Sequence, residues 1–141
     1  MIEHLLNLTS GKVEIITGDF NNYRSEILDS SSKLYEFKPD FIIILPDEKS
    51  CKYTGHLTDS KELITDEVER VSDELLQLCS IVRERAGAEI ILCNYILPSY
   101  IDLGAFRTKS FASDWNFKKA VNLSLGSKVP NLFTFAIWNF W

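Results

Sequence analysis

The sequence has no long hydrophobic run. FIIIL and EIILC are its longest, and neither approaches the roughly 18 residues of a membrane-spanning helix. Its start, MIEHLLNLTSGK, has no basic segment and no small-residue cleavage site. A leader is therefore not expected, and a cytoplasmic location is. Cysteine is sparse: Cys51, Cys79 and Cys93 are scattered, odd in number and without a C-x-x-C pair. That excludes a zinc ribbon and a disulfide framework. Cys79 and Cys93 sit in apolar runs and read as small core residues. Histidine is rarer still, with only His4 and His56, neither in an Asp-x-x-His arrangement. The sequence has no Gly-x-Ser-x-Gly elbow, so no hydrolase triad is readable. It has no Walker loop, no G-x-G-x-x-G and no Asp-x-Asp phosphatase nucleophile. No catalytic residue can be named from these patterns, and neither a metal nor a cofactor is expected.

What is present is globular in character. Hydrophobic residues make up 45% and aromatics 12% of 141 residues, which suits one folded domain over 1–141. The net charge of −5 is unevenly spread. Residues 1–50 carry nine acids and five bases, and residues 59–89 carry nine acids and four bases. From residue 101 onward there are five bases (Arg107, Lys109, Lys118, Lys119, Lys128) and two acids. This basic end signals a phosphate or an acidic partner. A solvated helix face is the plainer expectation for it. No basic–aromatic ribbon is visible in the linear sequence, so nucleic acid is not an expected partner.

Along the chain, IEHLLNL reads as a short helix and VEIITGDF as a β-branched strand. Asn21 or Asn22 is placed to cap a turn of helix through Ile27 and Leu28. Ser30 to Ser32 is placed to start another, stopped at Lys38-Pro39 because the residue before proline avoids the helical region. DFIIILPDE has the unbroken apolar run of a strand covered on both faces. Val68, Val71, Leu75, Leu78 and Val82 then recur at helical steps and predict a helix over 61–86. Ser60 or Thr65 would cap it, and Gly87 would end it. AEIILCNY is the next strand. Residues 110–125 predict a helix capped by Ser110 or Ser113 and ended by Gly126. A last strand runs from about Leu132 to Ile137.

Strands alternating with helices argue for a mostly parallel α/β sheet wrapped by helices. Ligands of such sheets lie beyond the carboxyl ends of the strands. Asp19, Asn21 and Asn22 follow the first predicted strand, Asp47 the second, and Asn94 the third. The turn GDFNNY offers a carboxylate and two amides suited to an oxygen-rich ligand. The same residues also suit a capped turn. Asn94, in CNYILP, either orients a ligand or satisfies loop backbone. Ser99, Ser110 and Asp102 are available near these turns, though nothing in their spacing singles them out. His56, in YTGHLTD, reads as a loop residue rather than a general base.

One stretch, ITGDFNNYRSEILDSSSKLYEFKPDFIIIL, resembles the N-terminal domain of FkbH-like proteins. The segments RERAGAEIILCNYILPSY, LGAF and KAVNLSL, the last containing Asn122, agree with it. The likeness spans most of residues 12–126. It implies a three-layer, doubly wound fold of the flavodoxin-like, SGNH-hydrolase type, here entered after the family's first strand. In that family the domain precedes a phosphatase domain of the haloacid-dehalogenase (HAD) superfamily, subfamily IIIC. The proteins are associated with loading a glyceryl unit onto an acyl carrier protein in polyketide-type pathways. Gly18-Asp19-Phe20 is similar to the Gly-Asp-Ser block of SGNH enzymes, with Phe20 in place of the serine nucleophile.

The expectation that follows is an accessory recognition domain for a substrate or an acyl carrier protein. Asp19, Asn21, Asn22, Asn94 and Asn122 would line its substrate-binding crevice. A degenerate SGNH-like esterase or acyltransferase is the alternative. It would draw on Ser99, Ser110 or a cysteine as nucleophile and on His56 as base. A structural remnant without activity of its own is the third reading.

Overall fold

The computed structural model describes residues 13–19, 22–99, 103–129 and 134–136. The expected helix IEHLLNL, Asn21 and the flanks of the last strand lie outside these residues. The chain runs through α1 (Tyr23–Leu28), α2 (Lys33–Phe37), β1 (Phe41–Ile44), a 3-10 turn (Glu48–Ser50) and α3 (Lys61–Ala86). It continues through β2 (Glu89–Cys93), a second 3-10 turn (Gly104–Lys109), α4 (Asp114–Lys128) and β3 (Thr134–Ala136). The three strands form one parallel sheet in the order β1-β2-β3. Each parallel pair needs a crossover, and α3 and α4 supply them.

α3 follows its local signals closely. The Ser60 hydroxyl accepts a hydrogen bond from the Leu63 N–H at 3.3 Å, satisfying one of the free donors at the helix start. Its buried stripe is Ile64, Val68, Val71, Leu75, Leu78 and Val82, one face of a 3.6-residue period. At the far end Gly87 takes φ 67, a left-handed turn that costs glycine nothing extra. Arg85 reaches back to donate to the carbonyls of Ile27 (3.1 Å) and Leu28 (2.8 Å). These are C-terminal carbonyls of α1, which have no partner within the helix; that of Ile27 also accepts from the Tyr35 hydroxyl at 2.6 Å.

The core joins Ile42 and Ile44 of β1, Ile90 and Leu92 of β2, the α3 stripe, and Phe117, Val121 and Leu125 of α4 in one cluster. Each such side chain contributes about 1.5–3 kcal/mol on burial. The two long helices are also tied at their edges. The Ser124 hydroxyl donates to Glu69 at 2.9 Å, and the Lys128 ammonium meets Glu69 at 2.5 Å and Asp73 at 2.6 Å.

Four expectations are corrected. Residues 13–19 form no strand and are exposed, because β-branched composition makes a strand only where a neighbour and a packed face exist. β1 is not covered on both faces. Ile42 and Ile44 are buried, but Phe41 and Leu45 are 66% and 63% exposed. Successive side chains of a strand point to opposite faces, and in β1 only the face carrying Ile42 and Ile44 is packed into the core. Gly126 does not end α4, which runs on to Lys128, where the Glu69 and Asp73 contacts hold its last turn. Lys118 does not belong to a solvated helix face. It is 3% exposed and paired with Asp114.

Among the described residues no helix is long and apolar enough to cross a membrane.

Candidate functional site

The carboxyl ends of β1 and β2 open toward the start of α4. Between them lies a cavity of about 300 Å³, lined by Glu48, Lys49, Lys52, Pro98, Asp114 and Lys118. The first three follow β1, Pro98 follows β2, and the last two belong to the first turns of α4. This is where parallel α/β sheets place their ligands.

The wall formed by α4 is built from local sequence. Ser113 caps the helix by accepting a hydrogen bond from the Asn116 N–H at 3.3 Å. Asp114 follows in the first turn, where a carboxylate meets the positive end of the helix. Lys118 lies one turn on, so its ammonium reaches the Asp114 carboxylate at 2.5 Å. Acid before base at this spacing is the favourable order. Asp114 is 8% exposed. The pair therefore stands in a low-dielectric wall, where loss of either partner would strand a charge.

One turn beyond Lys118 on the same helix, Asn122 fixes the backbone that leaves β2. Its Oδ1 accepts from the Tyr95 N–H at 2.9 Å, and its Nδ2 donates to the Tyr95 carbonyl at 2.8 Å. One side chain thus satisfies both backbone groups of a residue two positions beyond β2. Tyr95 itself is buried. Burial pushes its hydroxyl well above the ordinary tyrosine range, Tyr23 and Cys51 add to the rise, and Ser50 opposes it. Tyr23 and Arg24 of α1 are close enough to act on that hydroxyl electrostatically. The start of α1 and the exit of β2 therefore share one neighbourhood.

The sequence-predicted site residues have different surroundings. Asn94 is half-buried, and its Oδ1 is sealed from solvent with no hydrogen-bond partner among the described residues. An amide oxygen in that condition carries a desolvation cost of about 1–3 kcal/mol. Asn122 spends its amide on Tyr95, as described. Asn22 is exposed at the N-cap position of α1, without a side-chain capping bond. Asp19 is exposed; its N–H donates to the Glu26 carboxylate at 3.0 Å and its carbonyl accepts from the Asn22 N–H at 3.2 Å. Asn21 lies outside the described residues.

The groups considered for nucleophilic chemistry are differently placed. Ser110 is buried, and its hydroxyl has no hydrogen-bond partner among the described residues, so no base stands beside it. The His56 segment is an aspartate-anchored turn. Asp59 accepts from the Tyr53 hydroxyl at 2.6 Å and the His56 backbone N–H at 2.8 Å. The Asp59 carboxylate pushes the Tyr53 phenol up to about 12. All three thiols are buried. Burial pushes those of Cys51 and Cys79 up to about 12 and raises that of Cys93. The native chain is therefore expected to resist a disulfide-exchange reagent such as DTNB at pH 8, and to titrate all three thiols in strong guanidinium. Fast labelling of one thiol in the native state would show an access path that the packing does not contain.

Sequence reasoning missed the Asp114–Lys118 pair, although the i, i+4 spacing of opposite charges was available as a signal. Among the described residues, no group of three or more His, Cys, Asp or Glu side chains is arranged to hold a metal ion.

The parallel sheet, its helical crossovers and the cavity at its strand ends define an α/β domain. The family model described as FkbH, N-terminal domain, matches residues 7–139, and the chain belongs to that family. A similar solved structure is the crystal structure of the N-terminal part of the protein BF1531 from Bacteroides fragilis, containing a phosphatase domain and complexed with Mg. It shares 22% sequence identity with a TM-score of 0.61, and the match covers 89% of this chain and 32% of that one. This likeness shows the fold. No curated protein matches the chain.

Proposed function

We propose that this chain is an accessory recognition domain of an FkbH-like protein, acting in glyceryl or acyl transfer to an acyl carrier protein in polyketide-type biosynthesis. The observation that carries the reading is the strand-end cavity. Three lysines and two carboxylates line it, a mixture suited to an anionic group borne on a polar small molecule or a carrier arm. Asn94 brings an unpartnered amide oxygen to the exit of β2, and Asn122 positions the neighbouring backbone. Asp19 and Asn22 are assigned to the outer rim, at the entry to α1.

A phosphatase domain accompanies the corresponding part of the Bacteroides fragilis structure. A HAD-type phosphatase domain is accordingly the partner proposed here, with the FkbH-like assembly in the cytoplasm. The doubly wound, flavodoxin-like arrangement of SGNH proteins is the architecture we assign to the whole domain, and family membership over 7–139 supports it.

The test is a titration of the labelled chain with a phosphopantetheine-bearing acyl carrier protein, followed by NMR. Saturable shifts are expected at the amides of Lys49, Lys52, Asn94 and Lys118. Lys52→Ala, at an exposed residue of the cavity lining, is expected to weaken binding by about tenfold, the equivalent of about 1.4 kcal/mol, while the fold persists. Unchanged spectra at high carrier concentration would remove the proposal.

A further inference from the structure

Seven basic residues of this chain fall into two groups. Arg24 pairs with Glu74, Arg70 with Glu67 and Glu74, Lys118 with Asp114, and Lys128 with Glu69 and Asp73. A second group has no carboxylate partner among the described residues and instead lies against aromatic rings. The Lys61 ammonium stands 4.9 Å from the centre of the Phe111 ring. The Arg107 guanidinium and the Lys119 ammonium stand 5.1 and 4.9 Å from the Trp115 ring. Phe106 and Phe111 on the same segment are 58% and 55% exposed. Phe106, Arg107, Phe111, Trp115 and Lys119 lie within residues 106–119, and Lys61 joins them from another helix.

The surface is also held in shape. The Asn116 amide donates to the carbonyls of Arg107 at 2.7 Å and Ser110 at 2.8 Å. That fastens the 104–109 turn to the first turn of α4. Cations already stacked on rings lose little conformational freedom on meeting an anion, so the arrangement is preorganised for binding. Lys118 and Lys119 are consecutive on α4. One lines the strand-end cavity and the other lies against Trp115 on this outer surface.

We propose that the surface formed by Lys61, Phe106, Arg107, Phe111, Trp115 and Lys119 docks a carboxylate-rich amphipathic helix of a partner protein. Unneutralised cations interleaved with exposed rings complement a helix bearing acids beside apolar side chains. A second copy of this chain is a poorer occupant. The acids Glu67, Glu69, Asp73 and Glu74 of its own long helix are already engaged by Arg24, Arg70 and Lys128. Nucleic acid and anionic membrane are also disfavoured. Each presents a dense field of phosphates, and the chain carries a net charge of −5 with three cations on this surface. Docking here is separate from binding in the cavity. A chain that takes the peptide but ignores the carrier protein keeps this inference and loses the other.

The probe is a fluorescent synthetic helical peptide with glutamates on one face and leucines on the other, measured by anisotropy against the 141-residue chain. Binding is expected to saturate, to perturb Trp115 fluorescence and to weaken with added salt. Arg107→Glu with Lys119→Glu should weaken it by about tenfold or more. Lys33→Glu with Lys38→Glu, elsewhere on the chain, should leave it within about twofold. If the first pair fails to fold by circular dichroism, Lys61→Glu with Lys119→Glu, both at exposed residues, replaces it. Three results would each overturn the proposal. They are no anisotropy change at millimolar peptide, tighter binding to oligo-dT or phosphatidylserine vesicles, and self-association abolished by the same charge reversals.

Discussion

Asp114→Ala is expected to destabilise the chain by about 3–5 kcal/mol, a large share of the stability of an ordinary domain. The loss comes less from the missing attraction than from what remains. Lys118 is 3% exposed, and without Asp114 its ammonium stays buried with its counter-charge removed. The attraction of an intact pair only roughly repays its own desolvation. The double variant Asp114→Leu/Lys118→Met should therefore recover most of the lost stability, because it removes both charges and keeps the volume. Urea unfolding followed by circular dichroism measures both quantities. If Asp114→Ala costs less than about 1 kcal/mol, water reaches the pair and the cavity wall is not dry.

The second large effect is expected at Asn122. Replacing it by alanine strands the N–H and the carbonyl of Tyr95, both of which it satisfies. Each unpaired buried group costs about 1–3 kcal/mol, so a loss of about 2–6 kcal/mol is expected. The effect should also be local. Amide exchange at Tyr95 should accelerate by more than the global loss explains, because its N–H acceptor is gone. Unchanged Tyr95 protection in a destabilised variant would show that Asn122 matters only through packing. Asn122 thus acts by setting the backbone that leaves β2, whereas the Asn94 amide oxygen is sealed from solvent with no partner among the described residues.

The resemblance read from GDFNNY, CNYILP and KAVNLSL identified the family, and the match over 7–139 establishes it. It also pointed to Asn122, without indicating that its amide would be committed to Tyr95. Sequence spacing placed the neighbouring Lys118 among solvated bases. A charge run on a helix looks the same whether the neighbouring element is water or protein. Only the packing of α4 against the strand ends distinguishes the two.

The long helix at Lys61–Ala86 was determined by the sequence itself. Its Ser60 cap, its apolar period and its Gly87 stop all act within a turn or two of the residues concerned. The same holds for the absence of nucleophile and phosphate-loop motifs, which is a matter of neighbouring letters. Tertiary structure alone decided that residues 13–19 stay out of the sheet, that β1 buries one face, and that Asp114 and Lys118 pair in a buried wall. It also decided that Lys61 meets Phe111. The physical reason is one of range. Caps and periodicity depend on bonds a few residues long, whereas burial and pairing depend on which distant segments share a volume.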